Sequence, residues 1–143
     1  MAHLFFVKNY ELIEHTADIG IKLKGKDLRG LFKNVALAMF DIIAEKKTGE
    51  NKKQKIKIKQ RADNLEELFI NWLNELLSLS ATKELIFSDF QVNKINEREL
   101  QATGIGEDIK SYKVNTEVKA ATYHQLKIAK TASGWQAEVI FDV

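Results

Sequence analysis

The sequence predicts an α+β fold, two amphipathic helices packed on a mixed, largely antiparallel β-sheet. Three observations carry this. Two segments repeat apolar residues at intervals of three and four. Nearly everything else alternates with period two. Strands and helices come in blocks and do not strictly alternate, as in a layered sandwich.

The elements follow in order. Tyr10, Leu12 and Ile13, running to His15, predict a first strand. Ile19, Ile21 and Leu23 alternate with Gly20, Lys22 and Lys24, a second strand with one wet face. Leu28, Leu31, Phe32, Val35, Met39, Phe40 and Ile43 form the first helical stripe. Asp27 is placed to cap it, because its carboxylate can accept free amides of the first turn. Lys46, Lys47 and Gly49 read as its end. Ile56 and Ile58 in KIKIK predict a third strand. Leu65, Leu68, Phe69, Trp72, Leu73, Leu76 and Leu77 form the second stripe. Asn64, with Glu67 three residues later, resembles a capping box. Further strands are expected around Phe87–Ile95, Leu100–Ile105, Tyr112–Val118, Ala120–Ile128 and Trp135–Phe141, with a hairpin turn at Ser133-Gly134-Trp135.

The totals suit a single domain spanning residues 1–143. A chain of this length buries roughly two-thirds of its extended surface. Hydrophobic residues make up 45% and charged residues 29%. The net charge is +2, from 22 basic and 20 acidic side chains, so no whole-molecule field demands a nucleic-acid partner. Cysteine is absent. That removes disulfides, thiolate metal sites and cysteine nucleophiles. No segment approaches the roughly 20 apolar residues of a membrane span, and no secretory leader is legible, so a cytoplasmic protein is expected.

Four places could carry chemistry. The first is EHTADIG, Glu14–Gly20. His15, Thr16 and Asp18 can bond to local backbone and make a turn or bulge. Alternatively Asp18 belongs to a ligand site, since a carboxylate between strands is costly unless paired. The second is the C-terminal run from Trp135 to Val143. Trp135, Ala137, Val139 and Phe141 share one face; Gln136, Glu138, Ile140 and Asp142 share the other. Asp142 and the terminal carboxylate of Val143 form a dense negative patch. Such groups repel unless one is protonated or a cation neutralises them. Oxygen-only ligands favour hard ions. A solvated, frayed end is the bland alternative. The third is the basic run Lys52, Lys53, Lys55, Lys57, Lys59 and Arg61. It reads as a solvated face or a protected sheet edge, or as a surface for RNA phosphates. The fourth is VKAATYHQL, with Lys119, Thr122, Tyr123 and His124. Gly104-Ile-Gly106-Glu107 is too short for a phosphate loop, and nucleotide-binding glycine patterns are absent.

Taken together, these segments resemble one family. YELIEHTADIGIKLKGKDLRGLFKNVALAMFDII looks like the opening of the archease family. NLEELFINWLNELLSL is similar to its second helix, and VKAATYHQLKI and VIFDV to its later motifs. KAATYH stands where members commonly carry KAVTYH. Residues 46–61 and 93–113, the latter holding Glu107, match less well. The resemblance implies an archease-like sandwich. It implies an accessory protein that activates an RtcB-type RNA ligase in tRNA splicing, promoting ligase nucleotidylation and multiple turnover with GTP and a divalent metal, and not a catalyst in its own right. It also associates some relatives with a tRNA methyltransferase, as a chaperone-like factor. It places a metal site at Asp18, Asp142 and the main-chain carboxylate of Val143, with Ca2+ the expected ion and Mg2+ or Mn2+ as alternatives. It assigns Lys119 to the nucleotide or the partner. Contact with tRNA would be indirect or through the basic face. Two other readings stand beside it: a stand-alone divalent-metal phosphoesterase or nuclease, and an RNA-binding chaperone module.

Overall fold

The computed structural model describes residues 10–14, 18–47, 49 and 52–143. Among these residues the elements run β1 (Tyr10–Glu14), β2 (Asp18–Gly25), α1 (Leu28–Ile43), β3 (Ala44–Lys46), β4 (Gln54–Arg61), α2 (Leu65–Lys83), β5 (Leu85–Ile95), β6 (Glu99–Asp108), β7 (Tyr112–Val114), β8 (Ala120–Thr131) and β9 (Gly134–Asp142). A short 3-10 turn, Ile109–Ser111, joins β6 to β7. The strands form three sheets in the orders β1-β2-β9-β8, β3-β7 and β4-β6-β5. Every pairing among them is antiparallel. The expected α+β class is what the chain adopts, and the pairing is fully antiparallel where a mixed sheet was allowed for.

Both helices begin where their caps predict. The Asp27 carboxylate accepts the Gly30 amide at 2.7 Å, and the Asn64 side chain accepts the Glu67 amide at 2.9 Å. Each satisfies a first-turn donor that has no partner within the helix. The apolar stripes go inward. Leu31, Phe32, Val35 and Met39 of α1 are fully buried, as are Leu68, Phe69, Trp72, Leu73 and Leu76 of α2. Helix α1 lies against β2 and β5, and α2 lies chiefly against β8. The Trp72 indole donates to the Phe32 carbonyl at 2.9 Å. That bond gives the one polar atom of a large buried ring a partner.

Several boundaries differ from the sequence reading: β5, β6, β8 and β9 each extend a few residues beyond the expected spans, and three other ends differ as well. Helix α1 stops at Ile43, before Lys46, Lys47 and Gly49, and the chain enters β3 at once. Tertiary pairing ends it: the amides of Asn115 and Thr116 both donate to the Ile43 carbonyl, at 2.8 and 3.2 Å. Those same bonds shorten the strand expected over Tyr112–Val118 to Tyr112–Val114, because its next amides are diverted to the helix end. Helix α2 runs past Leu77 to Lys83 and closes on Glu84 in the left-handed conformation, φ 52°.

The β8–β9 hairpin turns at Ala132 and Ser133, and Gly134 opens β9. Gly134 has φ +144°, and a Cβ there would lie 2.3 Å from the Gly25 carbonyl oxygen. Only glycine lets the end of β2 pass so close to the start of β9. In β6, a Cβ on Gly104 would meet the Phe87 ring at 2.5 Å. The Gly-Ile-Gly run thus serves core packing.

Candidate metal centre

Strand β2 is the bridge between the two ends of the chain. It pairs with β1 on one side and β9 on the other. Its inward row, Ile19, Ile21 and Leu23, stands opposite Phe141, Val139 and Ala137 of β9. Ile21, Leu23, Ala137, Val139 and Phe141 are all buried. This apolar row sets the register, because a slip by one residue would turn it out to water. With that register, Asp18 falls directly opposite Asp142.

Facing residues of an antiparallel pair project from the same side of the sheet, with Cβ atoms about 4.5–5.5 Å apart. Asp18 and Asp142 therefore share the face opposite the core. Two like charges directly across a ladder are destabilising. Asp142 is exposed and Asp18 half-exposed. Val143 follows at once, half-exposed and packed against the core. The chain end is docked and not frayed.

Strand β8 completes the corner. Ala120 pairs with Asp142 from the other side. The Lys119 amide donates to the Asp142 carbonyl at 2.8 Å, and the Lys119 side chain is exposed. The fold thus brings Asp18, Asp142, Val143 and Lys119 together. His15 and Thr16, and the bend expected there, lie outside the described residues.

An anchor that the sequence reading missed holds β8 in place. The Asn74 side chain of α2 accepts the Ala121 amide at 2.8 Å and donates to the Ala121 carbonyl at 3.2 Å. Ala121 is adjacent to the residue that faces Asp142. The available signal was a polar residue beside the apolar stripe, Trp-Leu-Asn-Glu-Leu-Leu.

Beyond Thr122 the β8–β9 register breaks. Thr122 faces Ile140 and Lys127 faces Glu138, so five steps along β8 match two along β9. Gln125 takes φ +52° within this bulge. Tyr123 and His124 are exposed on it, and Tyr123 is 56% accessible.

Glu107 belongs elsewhere. It lies on β6, 1% exposed. It accepts from Lys46 Nζ of β3 and from the Tyr112 hydroxyl of β7, each at 2.8 Å. The Lys46 hydrogen bond is the main cause that holds its carboxyl below the usual range, against an opposing effect of burial. Burial first, then the bond to Glu107, pushes the Tyr112 phenol up. This cluster ties the β3–β7 ribbon to the β4-β6-β5 sheet.

The donor set at Asp18 and Asp142 is all oxygen, which suits calcium or magnesium better than zinc. Among the described residues, no three or more His, Asp or Glu side chains converge into a cation-binding group. Two side chains alone are a partial shell, and a main-chain oxygen of Val143 is the nearest complement in sequence. Among the described residues, no helix is long and apolar enough to cross a membrane.

Comparison with known proteins gives a consistent result. A profile of the Archease protein family matches residues 10–143. The chain is 42% identical to protein archease of Methanosarcina barkeri, covering 95% of this chain and 97% of that one. It is 40% identical to protein archease of Pyrococcus abyssi, covering 96% and 100%. The solution structure of a Methanobacterium thermoautotrophicum protein is similar, with TM-score 0.76, 32% identity and coverage of 96% and 100%. The crystal structure of an archease from Thermotoga maritima, described as a possible chaperone, shares the fold with TM-score 0.66, 23% identity and coverage of 93% and 96%.

Proposed function

This chain belongs to the archease family, and on that premise we propose that it is a metal-binding accessory protein that activates an RtcB-type RNA ligase in tRNA splicing. One observation supports the metal reading above others: Asp18 and Asp142 are cross-strand partners in a register fixed by buried apolar residues. Such a pair is costly by itself and is relieved by a cation.

Asp18 and Asp142 hold the ion through their carboxylates, with a main-chain oxygen of Val143. Ca2+ is the expected occupant, with Mg2+ or Mn2+ as alternatives. A bound divalent ion supplies positive charge where a phosphate can meet it. Lys119, exposed beside Asp142, offers a second positive group to a nucleotide or to the partner surface. Asn74 positions the strand that carries this corner. The protein promotes nucleotidylation of the ligase and so its multiple turnover, and it need not catalyse any step alone. A tRNA methyltransferase is a second client for the same chaperone-like role, and the cytoplasm is where both would be met.

The test is ligation at limiting ligase, with GTP and a divalent metal, with and without this protein. Many products per ligase are expected only in its presence. Asp18→Ala and Asp142→Ala should reduce the yield to about one turnover while keeping the folded circular dichroism spectrum. Full activation by both variants would refute the metal mechanism. Hydrolysis of RNA by the protein alone, lost in Asp18→Ala, would replace the accessory role with that of a metal-dependent phosphoesterase.

A further inference from the structure

One face of the β4-β6-β5 sheet is covered; the other is covered only at its Glu107 end, by Lys46 and Tyr112 of the β3–β7 ribbon. Ile58 of β4, Ala102 of β6 and Val92 of β5 stand in register on the covered side and are buried. The Gln60 side chain reaches Glu75 of α2 on that side. On the other side the alternate residues of β4 are Lys55, Lys57 and Lys59, all exposed. Opposite them on β6 stand Ile105, Thr103 and Gln101. Strand β4 is an edge of this sheet.

We propose that this open face binds the phosphodiester backbone of single-stranded RNA through Lys55, Lys57 and Lys59. The first argument is surplus charge. Among the described residues, the ion pairs are Lys33–Asp89, Lys46–Glu107, Lys94–Glu99 and Lys127–Glu138. On the same face of the sheet, Glu99 is engaged by Lys94, Asp89 by Lys33, and Glu107 at the far end by Lys46. The three β4 lysines have no carboxylate within salt-bridge distance among the described residues.

The second argument is geometry. Alternate residues on a strand rise about 6.7 Å, and Lys55, Lys57 and Lys59 follow one another on one side of β4 at that interval. The row can follow the repeating charges of an extended phosphate backbone. The third is the chemistry around the row. Stable protein interfaces centre on aromatic or other large apolar anchors, and lysine is depleted in them. Directly opposite the lysines stand Gln101, Thr103 and Ile105, with no aromatic side chain among them, and the carboxylates Asp89 and Glu99 on this face are already paired with other lysines. That favours a polyanion bound by counterion release. Edge protection needs a lysine to deter pairing, but it does not require three in one outward row.

The experiment is fluorescence anisotropy of a labelled oligouridylate against the full chain, in chelator, over a series of salt concentrations. Chelator makes the result independent of the Asp18–Asp142 site, so failure here and failure of the metal reading are distinguishable. The K55Q/K57Q/K59Q variant should bind more than tenfold more weakly at low salt. Its slope of log K against log salt should shrink by about 2, since each phosphate contact on a single strand contributes about 0.7. The charge-matched variant K110Q/K113Q/K130Q should keep the wild-type slope. Equal losses in both variants would overturn the proposal. So would an unchanged slope in the β4 variant, including the case where that variant only self-associates, as edge protection predicts. Polyglutamate competing as well as unlabelled RNA would also overturn it, pointing to an acidic protein surface.

Discussion

Asp18 and Asp142, at opposite ends of the described chain, face each other across the β2–β9 ladder. Their proximity follows from the apolar row beside them and is retained despite their repulsion. Asp18→Asn should therefore stabilise the protein in chelator, by a few tenths to about 1 kcal/mol. Urea titration in EDTA measures this. With millimolar calcium the order should invert, because the wild type gains more stability from the ion.

Asn74 links helix α2 to the strand beside the site through two hydrogen bonds to Ala121. Asn74→Ala leaves an amide and a carbonyl of β8 without partners. The expected loss is about 2 kcal/mol. Because Ala120 pairs with Asp142, calcium affinity should fall as well, although no ligand has been removed. Chemical denaturation and calcium titration of one preparation test both effects.

Glu107 is buried against Lys46 and Tyr112. Its carboxyl is held below its ordinary value of 4.5 in the folded chain. A group with a depressed folded pKa stabilises the fold above its unfolded pKa and loses that contribution as pH falls through the folded value. Glu107→Gln should thus cost about 1–2 kcal/mol at neutral pH. The gap to wild type should narrow as the pH drops below about 4.5. Thermal unfolding at neutral and acidic pH checks the sign.

Gly134 sits where the β8–β9 hairpin passes the Gly25 carbonyl. Gly134→Ala introduces both a steric overlap and an unfavourable φ. A loss of at least about 2 kcal/mol is expected. Wild-type stability in urea for that variant would show that the two backbones separate freely.

The elements legible in the sequence were those set by local patterns. Leu31 through Ile43 and Leu65 through Leu77 mark buried helical stripes, and Asp27 and Asn64 cap them. The period-two rows of β2, β4 and β9 show their inward faces. What stayed hidden depends on partners distant in sequence. Helix α1 ends because Asn115 and Thr116 meet Ile43, and no residue near Lys46 announces that. The bulge between Thr122 and Lys127 is visible only once β9 lies beside β8. The Asp18–Asp142 pairing needed the sheet order, because neither neighbourhood alone distinguishes a ligand site from a turn. Asn74 and Glu107 look like ordinary polar residues until Ala121 and Lys46 are placed against them.

Calcium titration of the folded protein, followed by isothermal calorimetry, tests the central claim most directly. One ion per chain is expected for the wild type. Asp18→Asn and Asp142→Asn should each weaken binding by tenfold or more, about 1.4 kcal/mol or greater, because each removes a charged ligand. Wild-type calcium affinity in both variants, or no calcium uptake by the wild type, would contradict the account.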